Sequence, residues 1–251
     1  MRFIIGDVHG EFSKLENLYK EILKKDKKPV LYFCGDFCDR GPDTKKVVDF
    51  IIDNKFLAAR GNHDDIFDSI LNGFSPYARY QNSTEHESLI NLEWFLSFGM
   101  KETLASYLTE EFTRDDLDYL ITEIRAGRFS NAKYKLESFR DIVPQSHKDF
   151  FHNLPLIIED EDFFVAHAYI DPEVEDYYNL STSVDNVLWG HFSRNEIHQP
   201  KSWGKKGYFG HYWTKNYGEP ADKPIIGDDI VLMDTGCGLN KSGVLSAFCH
   251  D

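Results

Sequence analysis

Three turns of high chemical density constrain this chain more than any other feature. They are Gly6-Asp7-Val8-His9-Gly10, Gly35-Asp36-Phe37-Cys38-Asp39-Arg40-Gly41 and Gly61-Asn62-His63-Asp64. Each follows a short apolar run, and they recur at intervals of roughly 30 residues, the length of one βα unit. The intervening residues fit that reading. Arg2 to Gly6, Val30 to Gly35 and Lys55 to Arg60 read as strands. Phe12 to Lys25 places Leu15, Leu18, Tyr19, Ile22 and Leu23 at helical spacing, and Thr44 to Asp53 does the same with Val47, Val48, Ile51 and Ile52. Strands alternating with helices predict a parallel sheet, and an open α/β sheet gathers its ligands at the carboxyl ends of its strands. Asp7, His9, Asp36 and Asn62 are therefore expected to converge.

Any one such turn is ordinary, because Asp and Gly favour turns for local reasons. Three in sequence demand more. Carboxylates held a few ångströms apart raise one another's pKa or drive the site open unless a cation intervenes. A donor set of carboxylate, imidazole and amide oxygen without thiolate suits Mn, Fe or Zn in a reactive centre rather than a sulfur-bound structural zinc. Asp36, the central carboxylate, is the natural donor to two ions at once.

Elsewhere the texture changes. From about residue 75 to 151 the pattern is helical, with segments at Leu89 to Phe98, Glu102 to Leu108, Asp115 to Arg125 and His147 to Phe151, and the stretch 73–151 reads as an inserted helical cap. Strand-like runs return at Leu156 to Ile158, Phe163 to Ala168, Asn186 to Trp189, Tyr208 to Gly210, Ile230 to Met233 and Val244 to Phe248, which together suggest a second, partly antiparallel sheet. The 251 residues suit one domain, 1–251, with the cap inside it. With 28 Lys+Arg against 42 Asp+Glu, a formal charge of −14 repels phosphate polymers at long range and argues against general nucleic-acid binding. Phosphate chemistry would need a local source of positive charge. The N-terminus reaches Asp7 before a signal-like apolar region forms, and there is no apolar run of membrane-spanning length. Cys34, Cys38, Cys237 and Cys249 lack disulfide-scaffold or zinc-finger spacing, so a reducing, cytoplasmic setting is expected, with no membrane partner.

The three turns resemble the GDxHG, GDxxDRG and GNH(E/D) motifs of the calcineurin-like metallophosphoesterases, most closely the phosphoprotein phosphatases and their bacterial diadenosine tetraphosphatase relatives. Later segments extend the likeness: Phe164-Val165-Ala166-His167-Ala168, Phe209-Gly210-His211 and Asp234-Thr235-Gly236-Cys237-Gly238, with Phe98-Gly99 and Glu102-Thr103-Leu104 to Tyr107 resembling a helical segment of the bacterial members. The resemblance implies an α/β fold of four layers, αββα, with the inserted helical cap. It implies two divalent metal ions, Mn2+ first with Fe or Zn as alternatives, one held by Asp7, His9 and Asp36, the second by Asp36, Asn62, His167 and His211. A metal-bridging hydroxide would attack phosphorus, His63 would act as general acid with Asp39 behind it, and Arg40 would bind phosphate oxygens. His191 rivals His211, since Gly190-His191 also follows an apolar run, but order along the chain favours His211. His191 also stands where bacterial relatives carry an arginine, so His191 or nearby Arg194 is the candidate second phosphate contact. Asp64 replaces the glutamate common in phosphoprotein phosphatases. His86, His147, His152, His198 and His250 lie outside any motif and read as surface or core residues.

The resemblance makes hydrolysis of phosphomonoesters the leading expectation, phosphoserine or phosphothreonine in proteins first. Symmetrical cleavage of dinucleoside polyphosphates is the alternative enzyme, and a catalytically degenerate phosphate-binding protein the alternative of another kind.

Overall fold

The computed structural model describes all residues except 74, 78–84, 175–183, 221, 240 and 241, and the side chains of 85–87, including His86, are likewise left aside. In chain order its elements are β1 (Arg2–Ile5), α1 (Phe12–Lys25), β2 (Val30–Phe33), α2 (Thr44–Asn54), β3 (Leu57–Ala58), α3 (Asn62–Asn72), α4 (Glu85–Phe95), α5 (Met100–Ala105), α6 (Arg114–Arg125), α7 (Phe129–Ile142) and α8 (Gln145–Asn153). The second half adds β4 (Ile157–Glu159), β5 (Phe163–Ala166), α9 (Val184–Trp189), α10 (Arg194–Ile197), β6 (Lys206–Phe209), β7 (Ile225–Ile226), β8 (Ile230–Leu232) and β9 (Ala247–Cys249).

Two sheets form, in the orders β3-β2-β1-β9 and β4-β5-β6-β8-β7. β1, β2 and β3 are mutually parallel, as are β5, β6 and β8. Side chains alternate across each strand, so each strand feeds two cores. Ile4, Tyr32, Phe163, Val165, Tyr208 and Val231 meet between the sheets. Phe3, Ile5, Leu31 and Phe33 face the other way, into a large cluster shared with helices α1 to α8. Phe164, Ala166, Phe209, Ile230 and Leu232 pack under α9 and α10 through Val187, Leu188 and Ile197. The result is helix, sheet, sheet, helix. Strands buried on both faces explain the nearly unbroken apolar runs of the sequence.

Three assignments change. Asn186 to Trp189 is part of a helix, α9, because a run of three apolar residues has no period that separates strand from helix; here Val187 and Leu188 turn together into the second core. The last run contributes β9 at Ala247–Cys249, and it pairs antiparallel with β1 instead of joining the second sheet. A helix also runs through Phe129–Ile142, where Ala132, Leu136 and Phe139 provide the buried face.

Candidate functional site

Every parallel strand of both sheets empties into one edge. β1 delivers Asp7 and His9, β2 delivers Asp36, and β3 leads into α3, whose first residues are Asn62 and His63. From the second sheet β5 delivers His167, β6 His211 and β8 Asp234. Backbone bonds lock the loops together: the N–H groups of Val8 and His9 donate to the Asp36 carbonyl at 3.1 and 2.8 Å, and Gly210 donates to that of His167 at 2.7 Å. His211 N–H donates to Asp7 Oδ2 at 2.9 Å, tying one sheet to the other. Five of the six non-glycine residues with left-handed backbone among the described residues belong to this edge: His9, Asp36, Asp39, Arg40 and His211. Such backbone costs ~1–3 kcal/mol per residue and concentrates at functional sites.

The side chains converge as well. His9 Nε2 lies 3.5 Å from Asp36 Oδ2 and His167 Nε2 3.5 Å from Asp36 Oδ1. Asn62 Oδ1 sits between His167 Nε2 at 2.9 Å and His211 Nδ1 at 3.0 Å. Donor atoms of Asp7, Asp36 and His167, and separately of His9, Asp36 and His63, lie within 4.8 Å of one another, with Asp36 in both sets.

Several observations fit this cluster to divalent cations. Asp7 Oδ1 and His9 Nε2 are buried with no hydrogen-bond partner, an arrangement that is expensive unless another ligand completes it. The Nδ1 atoms of His9 and His167 each face a backbone carbonyl, Cys38 and Cys34, at 2.8 Å. A carbonyl only accepts, so each Nδ1 carries the proton and each Nε2 presents a lone pair inward, as a metal-ligating histidine requires. Burial pushes the pKa of His9 and His167 down and that of His211 to about 3, keeping the imidazoles neutral. Burial and repulsion from Asp234 and Asp36 hold Asp7 well above the usual carboxylate range. Asp234, not singled out as a site residue from sequence, is pushed up to about 6 by burial. Burial opposes ionisation of Asp36 too, yet the cationic neighbours, His63 with its raised pKa and Arg40, hold it below its ordinary value.

His63 is different. Its Nδ1 donates to Asp39 Oδ2 at 2.6 Å, and its Nε2 lies 3.4 Å from Arg40 Nη2. A guanidinium beside that nitrogen makes it a poor position for a second cation. Burial opposes protonation of His63, but Asp36 and Asp39 outweigh it and raise its pKa. Asp64 is not a donor to the cluster. It accepts N–H bonds from Asp36 at 2.7 Å, Phe37 at 2.8 Å and Gly61 at 2.9 Å, and so pins the second turn to the third. His191 and Arg194 are exposed and stand outside the converging donors: His191 stacks on Tyr212 with centroids 4.5 Å apart, and Arg194 donates to the Tyr217 carbonyl. Of the unassigned histidines, His147 and His250 sit in hydrogen-bond networks of their own, and His147 is buried.

An aromatic rim, which residue spacing alone did not reveal, runs from His63 to His211 beside the donors. Phe95 and Phe98 meet the His63 ring at 5.1 and 6.3 Å, Trp94 touches both and stacks on Trp189 at 5.9 Å, and Trp189 reaches the His211 ring at 6.3 Å.

A two-sheet sandwich with such a cluster at the strand ends defines a candidate centre for divalent cations. The sequence model of the calcineurin-like phosphoesterases matches residues 3–215, and the chain belongs to that family. It is 28% identical over 178 residues to a symmetrical bis(5'-nucleosyl)-tetraphosphatase of Wigglesworthia glossinidia brevipalpis, covering 62% of this chain and 63% of the relative. It is 33% identical over 64 residues to serine/threonine-protein phosphatase 1 of Salmonella typhimurium, covering 26% of this chain and 30% of the relative. The chain thus spans less than two thirds of either relative's length. A crystal structure provisionally named a diadenosine tetraphosphatase superposes with a TM-score of 0.53 at 19% identity, covering 98% of this chain and 87% of that one, which shows a shared fold. Among the described residues no helix is long and apolar enough to cross a membrane.

Proposed function

We propose that this chain hydrolyses phosphate monoesters, with phosphoserine or phosphothreonine in proteins as the leading substrate class, at a centre for two divalent cations. Asp7, His9 and Asp36 would hold one ion and Asp36, Asn62, His167 and His211 the other, with Mn2+ the first candidate. Bound cations supply Lewis acidity and a water of lowered pKa, and they offset the field of a chain carrying −14.

The chain's own residues supply the rest. Arg40 presents its guanidinium beside His63 Nε2 and would take phosphate oxygens in its planar fork. His63, with its pKa raised and its Nδ1 bonded to Asp39, would take up a proton at Nε2 once Arg40 turns to the phosphate, and would deliver it to the departing oxygen. That His63–Asp39 pair beside Arg40 is the observation that carries the reading. His191 and Arg194 remain candidates for a second phosphate contact only if their side chains turn inward from where they now rest. The stretch 73–151 would act as the cap that sets access, and the free thiols of Cys34, Cys38, Cys237 and Cys249 suit a cytoplasmic setting.

The test is His63→Asn with the metals retained. Turnover of alkyl phosphates, whose leaving group needs a proton, should fall about 100-fold or more, and p-nitrophenyl phosphate, whose leaving group does not, far less. Equal losses on both would remove the general acid. No turnover at all by the metal-loaded parent would favour the degenerate phosphate-binding reading.

A second enzyme reading, symmetrical cleavage of dinucleoside polyphosphates, is favoured by the aromatic rim. Trp94 and Phe98 are 46% and 43% exposed beside the proposed acid, a surface on which a flat leaving-group base can stack. An equimolar challenge with a phosphopeptide and diadenosine tetraphosphate under Mn2+ separates the two. Preference for the dinucleotide would displace the first choice.

A further inference from the structure

We propose that the entry to α5, Gly99 to Thr103, is a clamp that orients the proton-donating pair, and that Thr103 is a positioning residue for His63 acting through Asp39. The inference rests on the general-acid reading of His63.

Asp39 and Arg40 are consecutive residues with φ of 70° and 69°. Left-handed backbone is disfavoured for L-residues, and two in succession persist only where the surroundings over-determine them. Here the surroundings are α5. Thr103 Oγ1 accepts the Asp39 N–H at 2.6 Å and donates its own proton to Asp39 Oδ1 at 2.7 Å. Its remaining lone pair faces Thr44 Oγ1 at 3.3 Å. A hydroxyl has one proton and two lone pairs, so all three valences of Thr103 are used, with no exposure to solvent. One residue on, the Arg40 N–H donates to the Gly99 carbonyl at 3.3 Å. Gly99 itself has φ of 98°, and a Cβ there would stand 2.3 Å from the Arg40 nitrogen, so the two main chains touch.

The consequence is a line of three groups: Thr103 Oγ1 to Asp39 Oδ1, then Asp39 Oδ2 to His63 Nδ1. One carboxylate oxygen is held by the threonine and the other by the imidazole. Without the hydroxyl the carboxylate can rotate about its Cβ–Cγ bond and His63 loses its fixed orientation. The turn carrying Arg40 keeps its own backbone bonds without that hydroxyl, Arg40 N–H to the Gly99 carbonyl and Gly41 N–H to the His9 carbonyl at 2.9 Å. Thr103 touches no reacting atom, so its effect is on proton delivery rather than on capture of the ester.

The experiment compares Thr103→Val and Thr103→Ser with His63→Asn in the Mn2+-loaded enzyme, on an alkyl phosphate and on p-nitrophenyl phosphate. With metal content unchanged, Thr103→Val should lower kcat on the alkyl ester about 10- to 100-fold, less than loss of the acid itself. KM and turnover of the aryl ester should change about threefold or less, and Thr103→Ser should restore most of the loss. In the metal-free protein, the downfield proton resonance of His63 Nδ1–H should be present in the parent and in Thr103→Ser but broadened or absent in Thr103→Val. If the valine variant folds poorly, Thr103→Ala removes the same hydroxyl without added bulk and is read the same way. Equal loss on both esters, or an unaltered resonance with parental kcat, overturns the clamp. Where His63→Asn itself loses both esters equally, the general-acid reading falls first.

Discussion

Asp64 offers the sharpest stability prediction because its hydrogen bonds can be counted. The side chain is fully buried, and its two oxygens accept three backbone N–H groups: Oδ2 those of Asp36 and Gly61, Oδ1 that of Phe37. Asp64→Ala leaves three buried donors unpaired at ~1–3 kcal/mol each. Relief from desolvating a carboxylate returns part of that, because burial and repulsion from Asp36 push the Asp64 pKa to about 7. A net loss of ~3–6 kcal/mol remains, which for a chain of this size lowers Tm by ~2–4 °C per kcal/mol, or about 6–24 °C in all. Asp64→Asn should fall between the two, since an amide oxygen placed at Oδ2 keeps two of the three bonds and turns its NH2 towards the Phe37 N–H. The assay is thermal unfolding by circular dichroism at pH 8 with a chelator present, so that metal binding does not enter, followed by metal content after Mn2+ loading. Asp36 and Asn62 hang on the pinned turns, so loading should weaken in the same order. An alanine variant melting within about 2 °C of the parent would refute the claim that Asp64 fastens the second turn to the third.

Further outcomes follow from the same geometry. A Cβ at Gly210 would lie 1.9 Å from Asp7 Oδ1, so Gly210→Ala should displace that carboxylate and leave the protein with markedly less Mn2+ by elemental analysis; a full complement would contradict the placement of Asp7. Asp7 is held well above, and Asp234 pushed up to about 6, in the metal-free protein. At pH 6 Mn2+ should therefore expel protons, and the heat of titration should vary with the ionisation enthalpy of the buffer; the same heat in all buffers would count against it. His147 bridges Tyr107 and Asp49 at 2.9 Å on each side, and burial lowers its pKa. Above about pH 6.5 it contributes no pH dependence. As pH falls below that value the unfolded chain takes up a proton that the folded one resists, and stability drops by up to ~1.4 kcal/mol per pH unit until the folded pKa is reached. His147→Gln should flatten that slope in melts between pH 7 and 5, and an unchanged slope would show that another group carries it.

How much of this was legible in the sequence depended on whether the signal was local. Asp7, His9, Asp36 and Asn62 come together because each ends a strand of a βα unit, and the period of those units is visible in the apolar runs. His167 and His211 followed from resemblance, and their place opposite Asn62 depends on two sheets facing each other, which periodicity does not encode. Asp234 lies at a strand end in the same way and opens a segment that extends the resemblance, but nothing in that segment marks its carboxylate as part of the site. Thr103 is a threonine in a helix, and its meaning comes from a partner 64 residues away. The return of β9 to the first sheet is likewise a long-range pairing, across Ile5 and Ala247. In Val184–Trp189, where packing alone chose helix, short-range pattern pointed to the wrong element.

The central claim is that strand ends of two facing sheets build one centre in which Asp36 is shared between two cations. Anomalous scattering at the manganese edge, from crystals grown with excess Mn2+, tests it most directly. Two peaks about 3.5–4 Å apart are expected, with Asp36 between them, His9 beside one, and Asn62, His167 and His211 around the other. A single peak away from Asp36, or none, would contradict the account.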